Sequence, residues 1–292
     1  MSAAVGARVR HPLLRLPIAL VFVVPVLFAQ IAVWGLRPAI GALPTALLSA
    51  ALASLVGAGA YAAYVRIFER RPVVELGGPG AGSELAAGLA VGAGAFAATI
   101  GVLALLGVYR VAGRGELWPV LLAALMAIGA GAIEEIVFRG VLFRLVEEWG
   151  GTWFAVALSS LLFGAGHLVN PHATLLGALA IVFEGGVFLA GAYVLTRRLW
   201  LPIGIHAGWN FAQSGIFGVP TSGVPVHGLL RGELVGPEWL AGGEFGAEAS
   251  IVAVAVCIAL GTTLLVLAAR RGRFVGRRGA RGDGAAGLGA VS

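Results

Sequence analysis

Two adjacent glutamates and an arginine form the first group of residues able to do chemistry. Glu134 and Glu135 lie in an apolar stretch and are followed by Arg139. Residues four apart are neighbours on one helix face, so Glu135 and Arg139 are predicted to form a structural ion pair. Glu134 lies about 100° further round the helix and keeps a free carboxylate. The pattern indicates either an ion pair beside a neutral glutamate or a catalytic carboxylate held next to that pair.

His167 is predicted to meet the free carboxylate of Glu134. The pair Gly150-Gly151 predicts a tight turn between two helices, with Glu134 about 16 residues before it and His167 about 16 after it. In an antiparallel helical hairpin, residues equally far from the turn lie at the same depth. A lone histidine on an apolar face is usually a packed core residue. One that is level with an unpaired buried glutamate is more often its partner.

His206 and Asn210 form a further pair, four residues apart on one face of a later helix. Two hydrogen-bonding side chains at this spacing can donate to a single oxygen, or they can join neighbouring helices. Phe163 precedes His167 by four residues, and Glu184 is another ionisable residue in an apolar stretch. Both are candidates for the lining of a common cavity. For Glu184 the alternative is a neutral, structural role.

The residue types exclude several hydrolytic mechanisms. No histidine is followed by glutamate, which excludes the His-Glu-x-x-His zinc site. The only aspartate is Asp283, so a pair of membrane aspartates is absent, and no Gly-x-Ser-Gly string occurs. A glutamate, two histidines and an asparagine remain. A buried carboxylate can act as a general base, an imidazole can relay a proton, and paired donors can stabilise an oxyanion.

Composition places these residues inside a membrane. Apolar types make up 59% of the chain, charged types only 12%, and the mean hydropathy is +0.95, whereas soluble domains carry about a quarter charged residues. Charged side chains at the bilayer centre cost roughly 2.5–3.5 kcal/mol each, so the polar residues above indicate function. A spanning helix needs about 20 mostly apolar residues. Eight segments fit: Leu16–Leu36, Pro38–Val65, Leu85–Tyr109, Leu117–Ile133, Thr152–Leu168, Ala173–Thr196, Leu199–Phe217 and Ala249–Ala269.

We therefore predict an all-α polytopic membrane protein, with about eight transmembrane helices around a polar intramembrane cavity. It divides into a cytoplasmic N-terminus (1–12), a transmembrane domain (13–269) and an arginine- and glycine-rich cytoplasmic tail (270–292). Within the transmembrane domain, 117–217 is the catalytic core. The segment 218–248, rich in glycine and proline, is predicted to be an external loop.

The distribution of arginine predicts the orientation. Sixteen of the twenty arginines fall at alternate ends of the predicted spans, and four lie at the opposite ends: Arg37, Arg110, Arg114 and Arg231. The positive-inside bias puts both termini in the cytoplasm, for a multi-pass protein of the plasma membrane. No basic patch is interleaved with aromatic residues, so the expected partners are the bilayer and a peptide or protein, not a nucleic acid.

Three motifs occur in order on successive predicted helices: Glu-Glu-x-x-x-Arg (134–139), Phe-x-x-x-His (163–167) and His-x-x-x-Asn (206–210). Together they resemble the motifs of the CAAX protease and bacteriocin-processing (CPBP) family of intramembrane endopeptidases, of the type II CAAX prenyl endopeptidase kind. The resemblance covers about residues 117–217. It implies an eight-helix membrane enzyme, whose eukaryotic members cleave C-terminal tripeptides from prenylated proteins.

Carried over by motif position, the resemblance implies that Glu134 and His167 activate water and that His206 and Asn210 form the oxyanion hole. The expected reaction is hydrolysis of a peptide bond in a membrane-associated or lipidated peptide or protein, which enters from the cytoplasm or the bilayer. The non-catalytic alternatives are a membrane scaffold, a bacteriocin-immunity factor and a small transporter. A base together with oxyanion donors favours the enzyme.

Metal use is a separate question, because members of the family are often described as metalloproteases and a metal-free glutamate mechanism is also argued for them. Zinc ligands here would be Glu134, His167 and His206, one from each of three helices. Asparagine is a poor zinc ligand, so Asn210 suits an oxyanion donor better. We favour catalysis without a metal or other cofactor, with zinc as the alternative.

Overall fold

The computed structural model describes residues 11–277, and long helices dominate this part of the chain. Seven of them are long and apolar enough to cross a membrane: α1 (Pro12–Ile40), α2 (Ala42–Glu69), α3 (Ala81–Leu105), α4 (Trp118–Gly150), α5 (Thr152–Val169), α6 (Leu175–Thr196) and α8 (Ile251–Arg270). The helix α7 (Trp200–Phe211) continues through one π turn, Ala212–Ile216. The predicted all-α polytopic membrane fold is confirmed.

The predicted count of eight spans depends on α7. With its π turn it extends from Trp200 to Ile216, which is about the shortest helix that can cross a bilayer. It is shorter than the seven long helices, and most of it is buried among them. The predicted segments at residues 1–10, with Arg8 and Arg10, and at residues 278–292 lie outside the described residues.

A two-stranded sheet is an element that the sequence analysis missed. The hydropathy pattern extends the third span to Tyr109, but α3 ends at Leu105, and Gly107 follows with a left-handed φ of 73° that glycine adopts without strain. The chain then forms β1 (Tyr109–Arg114), which pairs antiparallel with β2 (Leu230–Leu234). The segment 218–248 is therefore a packed element joined to the α3–α4 connection.

Glycines set the position of α7, the helix that carries His206 and Asn210. Gly88 and Gly92 of α3 face Gly204 and Ile205 of α7 so closely that side chains do not fit between them. A Cβ on Gly204 would lie 2.9 Å from the Gly88 Cα, and a Cβ on Gly92 would lie 2.9 Å from the Ile205 Cα. Small residues at such seams let helix backbones approach closely within membranes.

This seam predicts a position-specific effect of valine on α3. Gly92→Val is expected to destabilise the protein by about 1–3 kcal/mol, because the added methyl groups must push α7 away. Gly94→Val is the matched control, since a Cβ on Gly94 meets no atom within 4 Å. Thermal unfolding in detergent measures both variants. Equal melting temperatures would contradict the close packing of α3 on α7.

The arginines at one end of the bundle converge on buried carboxylates. Glu69, whose side chain is 1% exposed, contacts Arg15 at 3.3 Å, Arg71 at 2.7 Å and Arg144 at 2.8 Å. Further pairs at this end are Arg15–Glu148, Arg197–Glu147 and Arg198–Glu84. These contacts join the start of α1 and the ends of α2, α4 and α6. We call this the basic end, and the opposite end, which carries β1 and β2, the hairpin end.

Candidate active site

The ion pair of α4 is fully buried. The Arg139 Nη1 donates to Glu135 Oε1 at 2.9 Å, and both side chains are 0% exposed. The second terminal nitrogen of Arg139 donates to the backbone carbonyls of Gly185 and Gly186 in α6. Both helices form π turns here, at Ile136–Phe143 and Val182–Phe188. Such turns disturb the regular backbone ladder and are frequent at functional sites.

His206 lies between the two glutamates. Its Nδ1 is 3.0 Å from Glu135 Oε1, and its Nε2 is 4.0 Å from Glu134 Oε2. Because a carboxylate oxygen only accepts, Nδ1 carries a proton and donates it to Glu135. The ring orientation of His206 is thus fixed by Glu135, which the sequence analysis had paired with Arg139 alone. One carboxylate holds both the arginine and the histidine.

His167 is fixed by its own helix. It follows the last α-helical turn of α5, and its Nδ1 donates to the Phe163 carbonyl at 2.8 Å. This hydrogen bond leaves Nε2 of a neutral ring as a proton acceptor. The Phe163 ring lies 4.9 Å from the His167 ring and 6.2 Å from the His206 ring, centroid to centroid. The Arg139 guanidinium lies 4.8 Å from the same phenyl ring.

A single cavity of about 560 Å³ contains the side chains that the sequence analysis singled out. It is lined by Glu134, His167, His206 and Asn210, and also by the two further candidates, Glu184 and Phe163. The predicted turn is confirmed, since α4 ends at Gly150 and α5 begins at Thr152. That hairpin, together with α7, delivers the four side chains to one space. The ion-pair residues Glu135 and Arg139 are not among the residues that line the cavity.

The far side of the cavity holds an acidic group that the sequence analysis did not include. Glu248, from the 3₁₀ turn Ala247–Ala249, is 1% exposed and lines the cavity with Glu184. The backbone N–H of Ser222 donates to Glu248 Oε1 at 2.5 Å. Gln213 donates to the Pro220 carbonyl at 2.6 Å. These contacts fasten the 218–248 segment over the cavity. No helical periodicity marks Glu248, so its sequence gave no signal.

Burial raises the pKa of Glu248 from its ordinary value of 4.5 to about 7. Hydrogen bonds from Gln213 and Ser222, and the nearby His206, lower this pKa but do not cancel the effect of burial. The folded protein therefore binds more protons than the unfolded chain between about pH 4.5 and 7. Stability is expected to fall as the pH rises through this window, because ionising the buried group costs energy.

We expect the melting temperature of the wild type to drop between pH 5 and pH 8, and that of Glu248→Gln to drop less. A pKa change from 4.5 to about 7 corresponds to roughly 3 kcal/mol of stability. Glu244→Gln is the control in the same segment, because the Glu244 side chain is 81% exposed. If Glu248→Gln and Glu244→Gln showed the same pH profile, the burial of Glu248 would not govern it.

The donor set does not match a zinc site. A catalytic zinc takes three protein ligands at about 2.0–2.2 Å. Among residues 11–277, no group of three or more His, Cys, Asp or Glu side chains is arranged to hold a metal ion. The Nδ1 of His206 already hydrogen-bonds to Glu135, and its Nε2 lies 4.0 Å from Glu134 Oε2.

The part of the chain that carries the candidate active site also matches a known protein family. Residues 116–212 match the family model described as type II CAAX prenyl endopeptidase Rce1-like. The family resemblance is confirmed. This Rce1-like segment contains all four cavity residues at the motif positions, Glu134, His167, His206 and Asn210.

A curated relative agrees with the family match. The protein named "Putative membrane peptidase YdiL", of Bacillus subtilis (strain 168), is 31% identical over 113 residues. The alignment covers 39% of this chain and 42% of the relative, so the chain spans less than half of that protein's length in the match. No solved structure matches. Both descriptions name peptidases, and the relative's name places it in a membrane.

Proposed function

We propose that this chain is an intramembrane endopeptidase, which hydrolyses a peptide bond of a membrane-associated or lipidated peptide or protein with a water activated by Glu134. The observation that carries the proposal is the convergence of Glu134, His167, His206 and Asn210 in one cavity of about 560 Å³. The match of the Rce1-like segment supports the same reaction class.

Glu134 is the general base in this proposal. Its side chain is 25% exposed, and among residues 11–277 it makes one ion-pair contact, with His206 Nε2 at 4.0 Å. Its carboxylate can therefore accept a proton from water. His167 assists through Nε2, the acceptor left by the hydrogen bond to Phe163. The hydroxide attacks the scissile carbonyl carbon, and the proton passes to the leaving amine. General bases of this kind contribute about 10²–10⁴-fold to the rate.

His206 and Asn210 stabilise the oxyanion that forms on attack. They lie one helical turn apart on α7, and both line the cavity. A doubly protonated His206 ring donates Nδ1–H to Glu135 and keeps Nε2–H for the oxyanion. Glu135 is thus a positioning residue as well as the partner of Arg139. Preorganised donors of this kind are usually the largest catalytic contribution.

The rest of the lining suits an apolar substrate. Leu122 and Met126 of α4, Ile181 and Phe188 of α6, and Trp209 of α7 surround the polar group. Binding sites that bury most of their ligand are mainly apolar, with a few placed polar groups that fix its orientation. This lining favours a hydrophobic or lipid-bearing peptide. We place the enzyme in the plasma membrane with both termini cytoplasmic, following the arginine distribution.

Peptide cleavage in proteoliposomes tests the proposal. The purified wild type is expected to cleave peptides from a membrane-associated mixture at defined bonds, which mass spectrometry identifies. The Glu134→Gln variant is expected to form these products about 10²–10⁴-fold more slowly. Binding without cleavage by the wild type would favour a scaffold or transporter and would contradict the proposed enzyme.

We further propose that the reaction needs no metal, because residues 11–277 hold no group of three or more His, Cys, Asp or Glu side chains that could bind one. Cleavage is expected to persist after treatment with a strong chelator and dialysis, and added zinc is expected not to increase it. The measurement is the initial rate before chelation, after it and after stoichiometric zinc. Loss on chelation with recovery on zinc would overturn the metal-free mechanism and leave the peptidase standing.

A further inference from the structure

We propose that the catalytic cavity opens on the external side of the membrane, so that the substrates are polypeptide segments exposed at that face. This inference deepens the proposed function, on which it rests for the reaction. It differs from the expectation that substrates enter from the cytoplasm. It follows from where the cavity begins, where it ends and which end of the bundle is basic.

The cavity begins at the hairpin end. Its mouth is lined by Trp34 and Arg37 from the α1–α2 connection, by Pro119 from the first turn of α4, by Asn170 after α5 and by the segment 221–227. The last of these lies within the loop that β2 joins to the α3–α4 connection. Of the described residues, those that line the cavity include none from the basic end.

The cavity is closed towards the basic end by a packed layer. From Glu134 towards the basic end, α4 carries the buried Glu135–Arg139 pair and then Phe143, which is also fully buried. Gly140 of the same helix is so close to Tyr61 that an added Cβ would lie 3.2 Å from its ring. Tyr193 of α6 packs edge-on against Phe143, with ring centroids 5.4 Å apart. A peptide therefore cannot reach Glu134 from the basic end without unpacking this core.

The basic end is the cytoplasmic one. Its arginines lie at the start of α1, in the α2–α3 connection, near the end of α4, in the α6–α7 connection and at the end of α8. Ion pairs with carboxylates join several of these elements at this end of the bundle. The hairpin end carries four arginines, which are Arg37, Arg110, Arg114 and Arg231. Lysine and arginine in short loops remain in the cytoplasm during insertion. The mouth of the cavity is consequently external.

The external mouth defines the class of substrate. Its members are segments of exported, lipid-anchored or membrane-spanning polypeptides that lie on the outer side of the membrane. The apolar walls of the cavity would receive a segment that emerges from the outer leaflet. A protein tail that stays in the cytoplasm would not meet this mouth.

Cysteine labelling in whole cells tests the direction of entry. Cys257 is the only cysteine and is fully buried, so a Cys257→Ala background receives one new cysteine at a time. His227→Cys places it at the exposed mouth, and Ser83→Cys places it at the exposed start of α3, at the basic end. A membrane-impermeant maleimide is expected to label His227→Cys in intact cells and Ser83→Cys only after permeabilisation. Val226→Cys repeats the test if His227→Cys does not fold.

Labelling also reports on function. A maleimide that carries a polyethylene glycol chain, added to intact cells, is expected to reduce cleavage by His227→Cys at least about tenfold relative to the same unlabelled variant. The reverse pattern, with Ser83→Cys labelled in intact cells and His227→Cys protected, would overturn external entry. That result leaves the peptidase assignment intact, because cleavage by wild type and Glu134→Gln in detergent has no sidedness. Loss of the detergent difference would overturn the peptidase and not the entry face.

Discussion

Replacing Glu134 by glutamine is expected to lower the cleavage rate about 10²–10⁴-fold and to leave the fold intact. The amide keeps the size of the side chain but cannot accept a proton from water. Little structure depends on this carboxylate, since its one ion-pair contact among residues 11–277 is with His206, at 4.0 Å. Cleavage rate and thermal unfolding, measured on the same preparation, separate the two effects.

Glu84→Gln is the matched control for this substitution. The Glu84 side chain is also 25% exposed, but it lies at the basic end and pairs with Arg198 at 3.3 Å. It is expected to keep the wild-type rate, because it lies outside the cavity. Full activity in Glu134→Gln, or equal losses in both variants, would show that Glu134 is not the base.

Replacing Glu135 by glutamine is expected to impair both stability and activity. Arg139 is 0% exposed and would keep its charge with only the carbonyls of Gly185 and Gly186 as partners. Removing one member of a buried ion pair costs about 3–5 kcal/mol. His206 would lose the carboxylate that holds its Nδ1 at 3.0 Å. Chemical denaturation and cleavage rate measure the two losses.

A double substitution separates the two roles of Glu135. Glu135→Leu with Arg139→Met removes both charges, and replacing a buried ion pair by apolar residues is often neutral or stabilising. We expect the double variant to be more stable than Glu135→Gln and yet to remain poorly active, with a changed pH–rate profile, because His206 has lost its acceptor. Wild-type activity in a stable double variant would show that Glu135 does not position His206.

Local spacing determined much of this site. The ion pair of Glu135 and Arg139 joins residues four apart, and the turn at Gly150-Gly151 follows from glycine's freedom to adopt the φ of 84° found at Gly151. The helical hairpin then brought Glu134 and His167 to one cavity. These relations repeat with the helical period or follow from a short connection, so the sequence alone predicts them.

The lengths of the apolar segments also predicted the membrane fold, except at the end of the third span, where the chain enters β1. Seven predicted spans have counterparts among the long helices, while the third was drawn too long because Tyr109 and its neighbours continue an apolar run into β1. Hydropathy measures transfer into lipid and does not register strand pairing. The partner of β1 lies more than a hundred residues further along the chain, as Tyr109 opposite Leu234 shows.

Tertiary structure alone decided the contacts that complete the site. The hydrogen bond between His206 and Glu135 joins residues 71 apart, and the one between Ser222 and Glu248 crosses a loop of 26 residues. Neither separation follows a helical period. The direction in which the cavity opens was decided in the same way, by the packing of Phe143, Tyr61 and Tyr193 under the site. Sequence patterns report which side chains share a face of one helix, whereas the spaces between helices depend on how the faces of several helices pack together.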